Sequence, residues 1–165
     1  MTKRLASGLA LVLVCASAGR VLADPTADAR AVGDAFAKAM AAGDVPAVLA
    51  LYREDASIVW PGHGEEAKGK EAIERVVRAA IGSAPKDMHL VQKSNEARAL
   101  GDDYLVNVGR WENSFTTANG RHVTMDVRTT EVLARTGDKW LYLVDHASVG
   151  VPRPAERVRA RRGRR

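Results

Sequence analysis

The sequence is nearly free of cysteine, poor in aromatic residues, and without a long hydrophobic run beyond its leading segment. The single cysteine, Cys15, lies inside that segment. Once the segment is removed, no thiol remains, which excludes disulfides, thiol catalysis and cysteine-ligated zinc. The folded part of the chain must therefore be stabilised by its core alone.

The leading segment has the pattern of a secretory signal peptide. Lys3 and Arg4 precede an apolar stretch over residues 5–19, and Ala23 supplies a small residue at which cleavage can occur. The apolar stretch is shorter than the roughly 20 residues that span a membrane, so an uncleaved anchor helix is the less favoured alternative. We predict that residues 1–23 are removed near Ala23 and that the mature protein is secreted or periplasmic.

Positive charge is concentrated at the end of the chain. The whole sequence has 25 basic and 20 acidic side chains and a net charge of +5. Residues 1–23 contribute +3, and residues 153–165, with seven arginines against one glutamate, contribute +6, which leaves residues 24–152 at −4. A nucleic-acid-binding domain would carry a basic stripe on its fold, so this class is not favoured. Residues 151–165 are predicted to be a disordered Arg-rich tail. The tail is a candidate for contact with anionic surfaces, although a solvated tail without a partner is the commoner case.

Residues 24–150 are enough for one domain, and they begin with helical patterns. Apolar residues repeat at helical spacing over residues 26–42 and again over residues 70–81. Asp44, followed by Pro46 in the first turn, marks the start of a short helix between them. We therefore expect about three helices in the first half of the domain.

The second half of the domain has the period of strands. From residue 87 onward, apolar residues alternate with polar ones, and Asn119-Gly120 and Gly137-Asp138 are hairpin turn signals. Four long strands are predicted, over residues 88–100, 104–115, 122–135 and 139–149. Helices followed by a meander of strands indicate a segregated α+β fold.

Short motifs follow one another in a characteristic order along this domain. They are Ala39-x-x-x-Gly43-Asp44, Leu51-Tyr52-x-x-Asp55-Ala56, Pro61-Gly62, Gly69-x-Glu71-Ala72-Ile73 and Trp140-x-Tyr142-x-Val144-x-His146-x-Ser148. In this order they resemble the nuclear transport factor 2-like superfamily, in its SnoaL-like branch, over residues 26–149. The resemblance implies a conical barrel, in which a strongly curved antiparallel sheet packs on the N-terminal helices around a pocket. It also implies a homodimer.

The resemblance alone does not give an activity. The superfamily includes isomerases, cyclases, dehydratases and non-enzymatic binding or assembly domains. In its ketosteroid isomerases a carboxylate base directly precedes the proline, and a tyrosine on the first helix donates to the oxyanion. The matching positions here are Trp60 and Phe36. Since an indole cannot abstract the proton and a phenyl ring donates no hydrogen bond, that mechanism is not expected.

Candidate site residues come mostly from the strands. His146 is the catalytic candidate, because histidine titrates near neutral pH, and a hydrogen-bonded wall residue is the alternative. Arg128 shares a strand face with Asp126, and it would either clamp a carboxylate ligand or form an internal ion pair with Asp126 or a glutamate. Asp145 is expected on the opposite face of a regular strand from His146. The predicted pocket comprises Tyr52, Trp60, Asn107, Trp111, Asp126, Arg128, Tyr142 and His146; its aromatic members could equally be plain core.

No cofactor or metal is expected. The four histidines, His63, His89, His122 and His146, have no ligand spacing among them, and the sequence has no phosphate loop or dinucleotide fingerprint. The favoured interpretation is an exported domain whose pocket binds a small apolar or carboxylate-bearing molecule. One alternative is a proton-transfer enzyme of the isomerase, cyclase or dehydratase type acting on a small apolar substrate. A second alternative is a dimerisation or assembly module that uses the outer face of the last strand, with Leu141, Leu143, Asp145 and Ala147.

Overall fold

The computed structural model describes residues 24–61 and 66–150. The predicted signal peptide, the Arg-rich tail and His63 lie outside the described residues. Within them, the elements in chain order are α1 (Pro25–Ala42), α2 (Val45–Leu49), β1 (Tyr52–Val59), β2 (Glu66–Lys68), α3 (Lys70–Ser83), β3 (His89–Leu100), β4 (Tyr104–Thr116), β5 (His122–Thr136) and β6 (Lys139–Val149). Three helices thus precede the four long strands, as the sequence predicts.

Capping residues fix where the first two helices begin and end. Asp24 accepts a hydrogen bond from the backbone N–H of Thr26 at 2.9 Å, and Asp44 accepts one from Ala47 at 3.0 Å. Each bond satisfies an N–H group that the first turn of a helix leaves without a partner. Gly43 ends α1 in the left-handed conformation, with φ of 66°. The chain can therefore turn sharply from α1 into α2.

The strands form one sheet in the order β2-β1-β6-β5-β4-β3. Strands β3 to β6 are an antiparallel meander, and β2 is antiparallel to β1. The pair of β1 and β6 is parallel. The sheet is therefore mixed, whereas the resemblance implied antiparallel pairing throughout. The parallel pair is possible because α3 and the whole meander separate the two strands along the chain, far more than the dozen residues that a parallel crossover needs.

A β-bulge in β6 decides which of its residues face inward. Val132 pairs with Val144 and Leu133 pairs with Tyr142, so Leu143 is an extra residue on β6. An extra residue reverses the alternation of side chains beyond it. Tyr142 and Asp145, three positions apart, are consequently both buried on the inner face.

The core lies between the helices and the inner face of the sheet. Helix α1 packs against β3, and α3 packs against β1 and α2. The largest fully buried apolar side chains are Tyr52, Ile58, Ile73, Leu105 and Leu133. This is the α+β cone fold. None of the helices within the described ranges is both long and apolar enough to cross a membrane.

Candidate functional site

A cavity of about 190 Å³ lies between the helices and the inner face of β4, β5 and β6. Its apolar lining comes from Phe36, Met40, Trp60, Pro61, Ala80, Met88, Leu90, Trp111, Val127, Tyr142 and Ala147, and its polar lining from Asn113, Thr129, Glu131 and Asp145. A cavity of roughly 150 Å³ in another protein binds benzene, so this one has room for a molecule of one or two rings.

Four aromatic rings form one wall of the cavity. The ring of Phe36 lies 5.8 Å from Trp60, 6.2 Å from Trp111 and 6.3 Å from Tyr142, in each case nearly edge to face. This arrangement brings the positive edge of one ring to the negative face of another, which favours the cluster. The wall is therefore a set of mutually fixed rings, and Phe36 and Trp60 belong to it.

Asp145 is a buried carboxyl group held from one side. Its Oδ2 atom accepts hydrogen bonds from the Tyr52 hydroxyl at 2.6 Å and from Trp60 Nε1 at 2.8 Å. Among the described residues, Oδ1 has no hydrogen-bond partner. Burial raises the pKa of Asp145, and the bonds from Tyr52 and Trp60 and the nearby His146 oppose this shift. The carboxyl group is thus fixed in place but electrostatically costly in its ionised form.

Glu131 is the second buried carboxyl group, and it lies directly across from Asp145 on the neighbouring strand. Its Oε2 atom accepts a hydrogen bond from Asn107 Nδ2 at 2.6 Å, and Asn95 donates in turn to Asn107 at 3.3 Å. Burial, and then the charge of Asp145, raises the pKa of Glu131 from 4.5 to about 7, against the opposing effect of the hydrogen bond from Asn107. Near neutral pH this group can therefore give or accept a proton.

The two carboxyl groups form no ion pair with any of the described residues. The ion pairs among the described residues include neither Glu131 nor Asp145. The described lining of the cavity contains no lysine, arginine or histidine. Buried carboxylates usually have a cationic partner or a metal. Within residues 24–61 and 66–150, no group of three or more histidine, cysteine or acidic side chains could hold a metal ion.

Further polar atoms on the inner face have no partner. Among the described residues, Trp111 Nε1, Thr129 Oγ1 and the Gln92 amide are buried without a hydrogen bond. Trp111 and Thr129 both line the cavity. A Cβ atom at Gly109 would stand 2.6 Å from Thr129 Oγ1 and 3.4 Å from Trp111 Nε1. The absence of a side chain at Gly109 therefore makes the room that these two polar groups occupy.

The comparison with protein families fits this architecture. The sequence pattern of the SnoaL-like domain matches residues 29–152. The chain belongs to the SnoaL-like domain family. The match confirms the resemblance that the sequence showed to the SnoaL-like branch of the nuclear transport factor 2-like superfamily. No curated protein matches the chain.

Solved structures share the fold of this SnoaL-like domain. A protein from Xanthomonas campestris, provisionally described as a calcium/calmodulin-dependent protein kinase II association domain, is 26% identical with a TM-score of 0.65, over 74% of this chain and 85% of that one. A ketosteroid isomerase-like protein from Erwinia carotovora atroseptica is 23% identical with a TM-score of 0.65, over 78% and 98%. A hexachlorocyclohexane dehydrochlorinase, LinA-type3, from Novosphingobium barchaimii LL02 is 12% identical with a TM-score of 0.66, over 76% and 86%. These low identities show a shared fold and no more.

The structure of the SnoaL-like domain brings part of the predicted pocket together. Trp60, Trp111 and Tyr142 line the cavity. Tyr52 and Asn107 are fully buried behind the lining, where they donate hydrogen bonds to the two carboxyl groups. These five positions therefore form the wall of the site and its support.

Three residues that the sequence placed in the pocket, Asp126, Arg128 and His146, lie outside it in the structure. Asp126 and Arg128 are exposed, because the inner face of β5 carries the other set of alternating residues, which includes Glu131. On the outer face, Asp126 forms an ion pair with Arg110 at 3.7 Å. His146 is exposed because the bulge at Leu143 turns it outward. The predicted outward placement of Asp145 and Ala147 is wrong for the same reason, since both line the cavity.

Sequence reasoning missed the two carboxyl groups that the SnoaL-like domain points into its pocket. The sequence did carry a signal for Glu131, because it falls at every-second-residue spacing in an apolar row of β5. That row comprises Val123, Met125, Val127 and Leu133. A carboxylate in a row otherwise meant for the core is a candidate functional group. Asp145 carried no such signal, because a bulge cannot be read from the alternation of β6.

Proposed function

We propose that this domain binds a small, mainly apolar molecule of one or two rings in the cavity beneath the helices. The observation that carries the proposal is the cavity itself, with its aromatic wall of Phe36, Trp60, Trp111 and Tyr142 and its few buried polar groups. Small-molecule sites are typically concave and mostly apolar, with a small number of fixed polar groups that orient the ligand. The case for a carboxylate-bearing ligand rested on Arg128, which lies outside the cavity.

The binding proposal predicts that filling the cavity removes ligand binding. Toluene and naphthalene are expected to raise the melting temperature of the full chain, because they bind only the folded state. In Ala147→Phe the new ring occupies the cavity, so the shift is expected to fall below a quarter or so of its wild-type value. Differential scanning calorimetry measures both shifts.

Val144→Phe is the matched control for this experiment. Val144 lies on the same strand but is exposed. The melting temperature of Val144→Phe should rise with toluene or naphthalene as much as that of the wild type. Equal shifts in all three proteins would show that the probes bind elsewhere and would contradict the proposed pocket.

A second candidate function is proton transfer with Glu131 as general acid or base. The specific observation is that Glu131 lines the cavity and has a pKa of about 7. A general acid or base works best when its pKa lies near the working pH. His146, the catalytic candidate from the sequence, does not line the cavity, and Glu131 takes its place in this hypothesis.

This hypothesis predicts faster exchange of the α-protons of cyclohexanone for deuterium in the presence of the protein. Glu131→Gln is expected to reduce the acceleration by about 100-fold, because an amide cannot accept the proton. Asp126→Asn removes an exposed carboxylate on the same strand and should leave the rate unchanged. Proton NMR in deuterated buffer measures the exchange, and an unaltered rate in Glu131→Gln would rule out this role for Glu131.

Export and self-association are also part of the proposed function. Residues 1–23 support export through their signal-peptide pattern. Large exposed apolar side chains on the sheet, such as Val91, Val108 and Val144, support a homodimer or an assembly role through that face. We propose that the mature domain acts outside the cytoplasm and is a homodimer in solution.

A further inference from the structure

The pocket combines two buried carboxyl groups with aromatic walls and holds no positive side chain among its described lining residues. We propose that its ligand is a small organic cation, a protonated amine on an apolar body, with the ammonium group bound between Glu131 and Asp145. This inference rests on the proposed function, since it requires that the cavity binds a small molecule. It assigns the chemical class of that molecule.

The acceptor atoms for an ammonium group are already in place. Glu131 and Asp145 are only 3% and 6% exposed, and both line the cavity. Hydrogen bonds from within the protein occupy only Oε2 of Glu131 and Oδ2 of Asp145, which leaves one oxygen of each without a partner among the described residues. Thr129 Oγ1 and Asn113 Oδ1 are two further buried oxygens without a partner among the described residues, and both residues line the cavity. A primary ammonium has three N–H donors, and the lining offers at least that many free acceptor oxygens.

The aromatic wall supports the same class of ligand. The faces of tryptophan and tyrosine attract a cation within about 6 Å, and the attraction is stronger in a site from which water is excluded. Trp60, Trp111 and Tyr142 all line the cavity in which the carboxyl groups lie. The N–H group of Trp111, which is a donor, lies beside Gly109 and is not needed for this interaction.

Charge gives the pocket its selectivity. An anionic ligand would bring a third negative group next to two acidic side chains, with no described cation in the lining to balance it. A neutral alcohol donates only one hydrogen bond, so it would leave one of the free carboxyl oxygens of Glu131 and Asp145 without a donor. An ammonium group can donate to both oxygens. Among ligands of the same size and shape, we therefore expect the cation to bind more tightly than the neutral or the anionic molecule.

The binding of a cation should depend on pH through Glu131. The titratable groups that face it are Asp145 and Tyr142 on β6 and Tyr52 on β1. Because the pKa of Glu131 is about 7, a proton on Glu131 competes with the cation below that pH. The affinity is therefore expected to rise by about 10-fold from about pH 6 to about pH 8, as the ionised fraction of Glu131 increases from about one-eleventh to about ten-elevenths.

The test uses three probes of nearly equal size: benzylamine, benzyl alcohol and benzoate. We expect the full chain to bind benzylamine about 10-fold more tightly than benzyl alcohol, and benzoate most weakly. The affinity for benzylamine should increase with pH over the stated range, whereas that for benzyl alcohol should not. Isothermal titration calorimetry or NMR titration measures each dissociation constant.

Glu131→Gln and Asp126→Asn form a matched pair of variants, because each removes one negative charge from β5. Glu131→Gln should remove most of the preference for benzylamine over benzyl alcohol and most of its pH dependence, and any remainder in the same direction is attributed to Asp145. Asp126→Asn, with its side chain on the outer face, should leave both unchanged. If Glu131→Gln does not fold, the pH dependence of the wild type with the three probes still tests the inference.

Two results would overturn the inference in distinguishable ways. If benzyl alcohol binds as tightly as benzylamine, and neither depends on pH, the pocket binds small molecules but does not select cations. If none of the three probes binds at concentrations of about 10 mM, which corresponds to less than about 3 kcal/mol of binding free energy, the proposed pocket function falls together with the inference.

Discussion

The free energy of unfolding is expected to fall by about 2.5 kcal/mol between about pH 5 and about pH 8 because of Glu131 alone. The pKa of this group is raised from 4.5 to about 7 in the folded state, so the folded protein holds a proton that the unfolded chain releases. The stabilisation is fully present below the unfolded pKa and is lost as pH rises through the folded pKa. Urea unfolding at a series of pH values measures the decrease.

Two substitutions isolate the contribution of Glu131. Glu131→Gln cannot titrate, so most of the decrease should disappear, and any remainder in the same direction is attributed to Asp145, whose pKa is also raised. Glu96→Gln removes an exposed carboxylate that pairs with Arg98, and its profile should follow that of the wild type. If the free energy of unfolding of Glu131→Gln fell with pH as much as that of the wild type, the Glu131 carboxyl group would not be the source of the pH dependence.

Replacing Asp145 by alanine is expected to lower the free energy of unfolding by about 3 kcal/mol. The substitution leaves the Tyr52 hydroxyl and Trp60 Nε1 without their acceptor, and it opens space beside them. Each buried donor without a partner costs about 1–3 kcal/mol, and relief of the buried charge offsets part of that. Urea unfolding near neutral pH provides the measurement.

The neighbouring residue supplies the control. His146 is exposed, so His146→Ala should change the free energy of unfolding by no more than about 0.5 kcal/mol. Asp145→Asn keeps an acceptor oxygen and should cost less than Asp145→Ala. If His146→Ala were more destabilising than Asp145→Ala, His146 would face the core, as it would in a regular strand. That result would contradict the bulge at Leu143.

The helices and strands could be predicted because their signals are local. The cap at Asp44, the helical stripes and the turn at Asn119-Gly120 each depend on residues close in sequence. The strand boundaries in the structure differ from the predicted ones by a residue or so at most ends. Order and type of the elements therefore follow from the sequence.

The two faces of β5 and β6 could not be assigned so securely, for two different reasons. On β5, the prediction followed the polar row with Asp126 and Arg128, whereas burial follows the apolar row that contains Glu131. On β6, alternation alone places His146 inward, and only the pairing with β5 reveals the extra residue at Leu143. A shift of one residue exchanges all inner and outer side chains, so a site on strands is sensitive to such details.

The site derives its chemistry from burial more than from residue type. Glu131 and Asp145 are ordinary carboxyl groups, and their environment beneath the helices raises the pKa of each. The exposed His146 has the more familiar catalytic side chain, but it lies outside the cavity. The residues to which we assign the proposed binding and proton-transfer roles are therefore those that the cone fold removes from water.

The most direct test of this account is the titration of the Glu131 side-chain carboxyl carbon, followed by NMR in protein labelled with carbon-13. We expect a midpoint near pH 7, because Glu131 is a buried group that faces the cavity and its pKa is raised. Addition of benzylamine should move the midpoint to lower pH, because the cation favours the ionised carboxylate. A midpoint near 4.5 that benzylamine leaves unchanged would contradict the account, since Glu131 would then be a solvated side chain outside any binding site.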